Sequence, residues 1–207
     1  APDQSGETAV KPRSEAIGFT DMIAYLQVAT NGVVTIMATN PEIGQNIKTA
    51  LPMIVAEELD IPWEKVIVEQ APLNTEAYPR QVAGGSYSVR SLWDPLRQAG
   101  ATARHLLVQA AAEQWQVDAG GITTDGQGKV VHPDGEQTLH YGELVTAASQ
   151  MEAPEEVPFK DPKDFRLLGK WIPNVDNDAI VTGKPLFGWD TRREGMLYAM
   201  VVRPPAF

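Results

Sequence analysis

Thr39-Asn40-Pro41-Glu42-Ile43-Gly44-Gln45-Asn46-Ile47-Lys48-Thr49 decides how this chain folds. Upstream, residues 23–28 and 33–38 are apolar and β-branched and are separated by Asn31-Gly32, the dipeptide favoured in two-residue hairpin turns. Downstream, Ile47, Leu51, Ile54, Val55 and Leu59 recur at helical spacing, with Pro52 as the one local contradiction. The quoted stretch is therefore a strand-to-helix joint. Such joints point unpaired backbone N–H groups beyond the sheet, and the helix dipole favours an anion there. Gly44 allows close backbone approach, and Gln45 and Asn46 add amide donors and acceptors. Two readings stay open: a site for a phosphate or polar ring, or an ordinary helix start with Asn40 as N-cap and Pro41 in the first turn.

A second joint of the same kind follows. Asp60-Ile61-Pro62 ends the first helix, residues 66–69 alternate like a strand, and a long loop over 71–85 leads to Gly84-Gly85-Ser86-Tyr87-Ser88-Val89-Arg90. That segment runs into a helical pattern over 89–115, with Trp93, Leu96, Ala103, Leu107, Ala110 and Ala111 on one side. Gly100 among alanines lets another backbone come close. Ser86 and Ser88 can cap the helix or bind a phosphate.

Further on, Asp125-Gly126 predicts the turn of a hairpin over 121–132, and residues 141–149 read as a short helix. Between 151 and 163 the composition shifts to Glu, Pro, Lys and Asp, a linker signature. Beyond it, 165–170, 179–183 and 196–202 read as short strands with bends at Gly183, Gly188 and Gly195. The expected organisation is an N-terminal arm (1–16), a first domain (17–150), a linker (151–163) and an incomplete β-rich piece (164–207), giving an α+β chain with helices packed on a sheet. The tail strands lack partners of their own and are expected to pair with another chain.

Composition narrows the chemistry. A net charge of −10 argues against nucleic acid or an anionic membrane surface as a general partner, and the apolar runs fall short of the roughly 18 residues of a membrane helix. No cysteine is present, which removes disulfides, thiolate catalysis and cysteine-held zinc or iron–sulfur centres. His105, His132 and His140 do not have a metal-ligand spacing, so no metal ligands are assigned. The chain begins with neither Met nor an apolar signal segment, as expected of a mature periplasmic or exported form or of an engineered chain; otherwise it is cytoplasmic.

The ordered motifs carry a resemblance. Pro41 to Thr49, Ala56-Glu57-Glu58-Leu59, Gly84 to Arg90 and Ala99-Gly100-Ala101-Thr102-Ala103-Arg104 resemble the molybdopterin-binding large subunit of the xanthine dehydrogenase and aldehyde oxidase family, in the branch of isoquinoline 1-oxidoreductase β subunits. The tail motifs Phe165 to Lys170, Val181-Thr182-Gly183-Lys184 and Gly195 to Ala199 resemble the opening of that family's hammerhead domain. The resemblance implies a molybdenum hydroxylase acting on aldehydes or N-heteroaromatics. It implies molybdopterin in its cytosine dinucleotide form with molybdenum, and iron–sulfur clusters on a partner small subunit. Gly44, Gln45 and Asn46 on one side, and Gly84, Gly85, Ser86 and Ser88 on the other, are the cofactor-binding residues it implies.

This chain departs from the family at two points. Asn46 stands where glycine is usual, and the segments with Gly-Gly-Phe-Gly and with the glutamate base are not found. The chain alone is thus expected to be inactive, with no catalytic residue of its own. The remainder of a large subunit or a second catalytic polypeptide would complete the site. A non-catalytic assembly or binding domain that has lost its cofactor is the alternative. Glu57, Glu58 and Glu69 read as solvated or structural rather than catalytic. If one pterin is shared, the two joints must converge on one cleft.

Overall fold

The hairpin and the crossover helix build the frame. The computed structural model describes residues 24–205 except 79 and 185–186, together with the backbone of 16–18. Strand β1 (Ala16–Gly18), β2 (Leu26–Ala29) and β3 (Val34–Ala38) pair antiparallel in turn, and Asn31-Gly32 makes the β2–β3 turn with Gly32 at φ 81°. Helix α1 (Ile47–Leu59) then carries the chain back so that β4 (Val66–Gln70) lies parallel to β3, in the order β1-β2-β3-β4. A parallel return needs such a crossover. The expected N-terminal arm, residues 1–16, lies outside the described residues apart from the backbone of Ala16.

Helix α2 (Ser88–Trp115) packs along α1. Gly100 makes that contact possible, because a Cβ there would collide with the Val55 carbonyl and with Glu58. Leu96, Ala103, Leu107, Ala110 and Ala111 are buried on this face, as their spacing predicts. A small antiparallel sheet, β5 (Thr123–Thr124), β6 (Lys129–Val131) and β7 (Thr138–His140), leads into α3 (Tyr141–Ala148). Tyr141 is fully buried and its hydroxyl donates to the Leu59 carbonyl at 2.9 Å, tying α3 to the end of α1. The fold is α+β, with the core between the helices and the first sheet. No described helix is long and apolar enough to cross a membrane.

Residues 151–174 pack into the same compact unit as the sheet, and a second compact unit begins at Val175. The reason lies in two adjacent carboxylates. Glu57 and Glu58 are 1% and 0% exposed, so neither is solvated. Glu57 accepts from the ammonium of Lys160 at 2.6 Å and from the backbone N–H of Arg166, Leu167 and Leu168 at 2.6–3.1 Å. Glu58 accepts from the N–H of Lys160 at 3.0 Å and from Arg97 at 2.7 Å, with Arg104 at 3.6 Å. Burial raises the carboxyl of Glu57, but Lys160 and the three N–H groups outweigh it and hold it below the usual range. The expected strand at 165–170 does not form, because its N–H groups go to Glu57 instead of to a neighbouring strand.

The second unit, from Val175 onward, also departs from the strand reading. Asn177–Val181 is a short helix, α4, closed by Gly183 at φ 70°. Residues 196–202 have no strand partner among the described residues, and Leu197, Met200, Val201 and Val202 are exposed.

Candidate functional site

The two Gly-containing joints follow β3 and β4, and these strands are parallel, so both joints leave the same edge of the sheet. Ligands of open α/β sheets bind at the carboxyl ends of strands for this reason. Here the joints form one cleft of about 420 Å³. Gln45 lines it from the first joint; Gly84, Gly85, Ser86 and Ser88 line it from the second. Ile43, Ile47 and Val89 supply apolar wall. The required convergence is therefore present in the geometry. Gly44 and Asn46 belong to the first joint but do not line the cleft.

Asn40 joins the two walls. It is fully buried, and its side-chain amide donates to the Val82 carbonyl at 3.0 Å and to the Ser88 hydroxyl at 2.8 Å. It is not the N-cap of α1, which starts only at Ile47 after Asn46. Pro41 likewise lies outside the helix. Gln70 and Gln81 brace the same region: Gln70 donates to Ala38 at 2.8 Å, and Gln81 donates to Pro72 at 2.8 Å and accepts from Asn74 at 2.7 Å. Tyr78 anchors the long loop by donating to the Ala24 carbonyl at 3.0 Å, with its ring 5.5 Å from that of Tyr25. Reading single residues missed these braces, since the partners of Asn40, Gln70 and Tyr78 lie more than 30 positions away. A buried Asn at a strand end was the one available signal.

The anion expected at the start of α1 is the chain's own. One oxygen of the Glu42 carboxylate accepts from Gly44 N–H at 2.7 Å and Asn46 N–H at 3.1 Å, and the other accepts from Lys48 N–H at 3.0 Å. Partial burial raises this carboxyl, but the N–H groups of Lys48, Gly44, Asn46 and Gln45 outweigh it, and the net direction is downward. Gly44 at φ 104° and Asn46 at φ 66° give the turn its left-handed course, and asparagine is one of the few other residues that tolerates this. Asn46 thus keeps the backbone shape that a glycine would adopt.

The groups of the two joints differ in what they could offer a ligand. The Oδ1 of Asn46 is buried with no hydrogen-bond partner among the described residues. Gln45 is exposed, its Oε1 accepting from Ile43 N–H at 2.7 Å and its Nε2 donating to the Pro41 carbonyl at 2.9 Å, an arrangement closed within its own loop. Gly84 and Gly85 have no atom within 4 Å of where a Cβ would stand, so side chains there would fill the cleft. Ser86 is exposed at φ 50°. The Ser88 hydroxyl is committed to Asn40 and leans on the Val82 carbonyl at 3.5 Å. No carboxylate lines the cleft.

Residues 7–179 match the family described as the molybdopterin cofactor-binding domain. This chain belongs to that family. The resemblance carried by the two joints thus rests on the whole domain. Isoquinoline 1-oxidoreductase subunit β of Brevundimonas diminuta is 32% identical, over 99% of this chain and 31% of that protein. Membrane-bound aldehyde dehydrogenase (pyrroloquinoline-quinone) of Gluconacetobacter polyoxogenes is also 32% identical, over 87% of this chain and 24% of that protein. The chain therefore spans about a third or less of the length of these relatives. Among solved structures, quinoline 2-oxidoreductase of Pseudomonas putida 86 is similar with a TM-score of 0.45 at 21% identity, over 59% of this chain and 15% of that one.

Proposed function

We propose that this chain forms one wall of the pterin site of a molybdenum hydroxylase that oxidises an aldehyde or hydroxylates an N-heteroaromatic compound. The observation that carries the reading is the convergence of Gln45 and Gly84 to Ser88 on one cleft whose glycine positions are open. The residues fit the group. Gln45 offers an exposed amide that can exchange loop partners for a pterin ring. Gly84 and Gly85 let the ligand reach the backbone, and Ser86 supplies a hydroxyl at the same wall. When bound, molybdenum supplies oxygen-atom transfer and takes up the electrons removed from the substrate carbon. The catalytic base comes from outside this chain, since Glu57 and Glu58 are committed in the interior and the cleft carries no carboxylate.

The finer composition follows the same reading. The cofactor is the cytosine dinucleotide form, the iron–sulfur clusters sit on a partner subunit, and residues 164–207 open a hammerhead domain. The exposed apolar run 196–202 is then covered by the remainder of the large subunit or by a second catalytic polypeptide.

Metal and pterin analysis of the assembled complex tests this. Molybdenum and oxidised-pterin fluorescence are expected in it. Gln45→Ala is expected to weaken cofactor retention by about 1–3 kcal/mol, the consequence of unsatisfied buried partners, with the folding midpoint nearly unchanged. A complex free of both molybdenum and pterin would replace this reading by a non-catalytic assembly domain.

A further inference from the structure

Next in the chain to residues that line the cleft, two positive charges share one aromatic ring. The Arg80 guanidinium lies 4.9 Å from the ring centre of Tyr87, and that of Arg90 lies 5.5 Å from it. Tyr87 sits between the two lining serines, and Arg90 follows Val89, also in the lining. All three side chains are exposed. In a chain of net charge −10 other arginines of the first unit face carboxylates: Arg97 and Arg104 share Glu58, and Arg166 stands 3.6 Å from Asp60. Arg80 and Arg90 form no ion pair among the described residues, although Asp94 stands one turn beyond Arg90 on α2. Two like charges thus meet one ring beside a concave site, with no ion pair to either among the described residues.

The loop holds this arrangement in place. Arg80 has a left-handed backbone at φ 58°, and its carbonyl accepts from Val82 N–H at 2.9 Å, so the turn aims its side chain from a fixed point. Val82 is itself bonded to Asn40, the residue that joins the cleft walls. Tyr87 offers a ring face to both guanidiniums, a contact that leaves their N–H edges free for an oxyanion.

We propose that Arg80 and Arg90, organised by Tyr87, form an anion subsite beside the cleft that takes a phosphate or diphosphate group, namely the phosphate-bearing end of the cofactor assigned above. The subsite rests on that reading for the source of the anion and on the arginine pair for its chemistry. Planar guanidinium forks bind phosphate oxygens two at a time, which a pair of lysines would not reproduce. A site beside a concavity suits a small anion attached to a ring that enters it; an acidic segment of a partner protein would instead meet a flat, extended surface.

The test uses the assembled complex and the full chain. In the complex, pterin retained through gel filtration is followed as sodium chloride is raised, for wild type, R80Q/R90Q and Y87A. Wild type is expected to lose cofactor faster as salt rises; R80Q/R90Q loses it roughly tenfold faster at low salt and with a flatter salt dependence. R80K/R90K restores the salt dependence without restoring full retention. In the full chain, inorganic diphosphate titrated against tyrosine and tryptophan fluorescence is expected to bind wild type and not R80Q/R90Q. Unchanged retention and salt dependence in R80Q/R90Q overturn the proposal, as does loss of a partner polypeptide while pterin per assembled complex stays constant. A complex that holds no pterin, beside a chain that still binds diphosphate through the arginines, refutes the cofactor reading and leaves the anion subsite standing.

Discussion

Glu42 and Glu57 each gather three backbone N–H groups onto one carboxylate, one in the turn that precedes α1 and one in the interior. At Glu42 the donors lie two to six residues ahead, so the carboxylate shapes a local turn that stays open to solvent. At Glu57 they lie 109–111 residues ahead, and Lys160 adds a charge from 103 residues away. The same chemistry thus makes a local turn in one place and a long-range tether in the other. Sequence distance and burial set the difference, because an interior carboxylate that loses its donors has no water to replace them.

The largest effect expected from this contrast is at Glu57. Glu57→Ala leaves the N–H groups of 166–168 without their acceptor in the interior and Lys160 with Asp60 alone, and is expected to cost about 3–5 kcal/mol, read as the urea midpoint. Its folded pKa lies below the ordinary value, so its contribution is complete above the ordinary glutamate range and is lost as pH falls through the depressed value. Glu57→Gln should therefore flatten the acid limb of stability against pH. An unchanged limb would remove Glu57 from the tether.

Asn40 is expected to have an intermediate effect. Asn40→Ala strands the Ser88 hydroxyl and the Val82 carbonyl and should cost about 1–3 kcal/mol. It should also loosen the cleft, read as lower cofactor retention at a temperature where the chain is still folded. Full retention would show that the walls hold together without it. The smallest effect is expected at Glu42. Glu42→Gln keeps one acceptor but loses the charge, and should cost about 0.5–1.5 kcal/mol, with faster amide exchange at Gly44, Asn46 and Lys48. A cost equal to that of Glu57→Ala would break the comparison.

Local elements were legible in the sequence where short-range chemistry decides them. Asn31-Gly32 marks the hairpin, the apolar period of 47–59 gives α1, and Gly100 among alanines gives the close helix contact. That each joint follows a strand and opens a helix was legible, whereas their convergence was an expectation of the resemblance, since two such joints can also cap their helices independently. What escaped depends on distant partners. Glu57 and Glu58 look like a solvated helix face until residues 160–168 are brought to them. The apolar run 165–170 alternates well enough for a strand, yet no neighbouring strand competes with the carboxylate for its N–H groups. Asn40-Pro41 has the composition of a helix start, but Glu42 draws the following N–H groups into a turn and delays the helix to Ile47.

The bonds of Asn40 also bear on the order in which the molecule assembles. They span 42 and 48 residues, whereas the hairpin turn between β2 and β3 closes over a few. Closing a long loop costs chain entropy that only a formed scaffold repays, so the two walls meet after the sheet and the helix pair are in place. Stopped-flow measurements on Asn40→Ala should then show faster unfolding with refolding nearly as in wild type, and slowed refolding would place this junction in the nucleus instead. A cleft built last is an acceptor for a ligand delivered to an already folded chain, and not a template around which the chain folds.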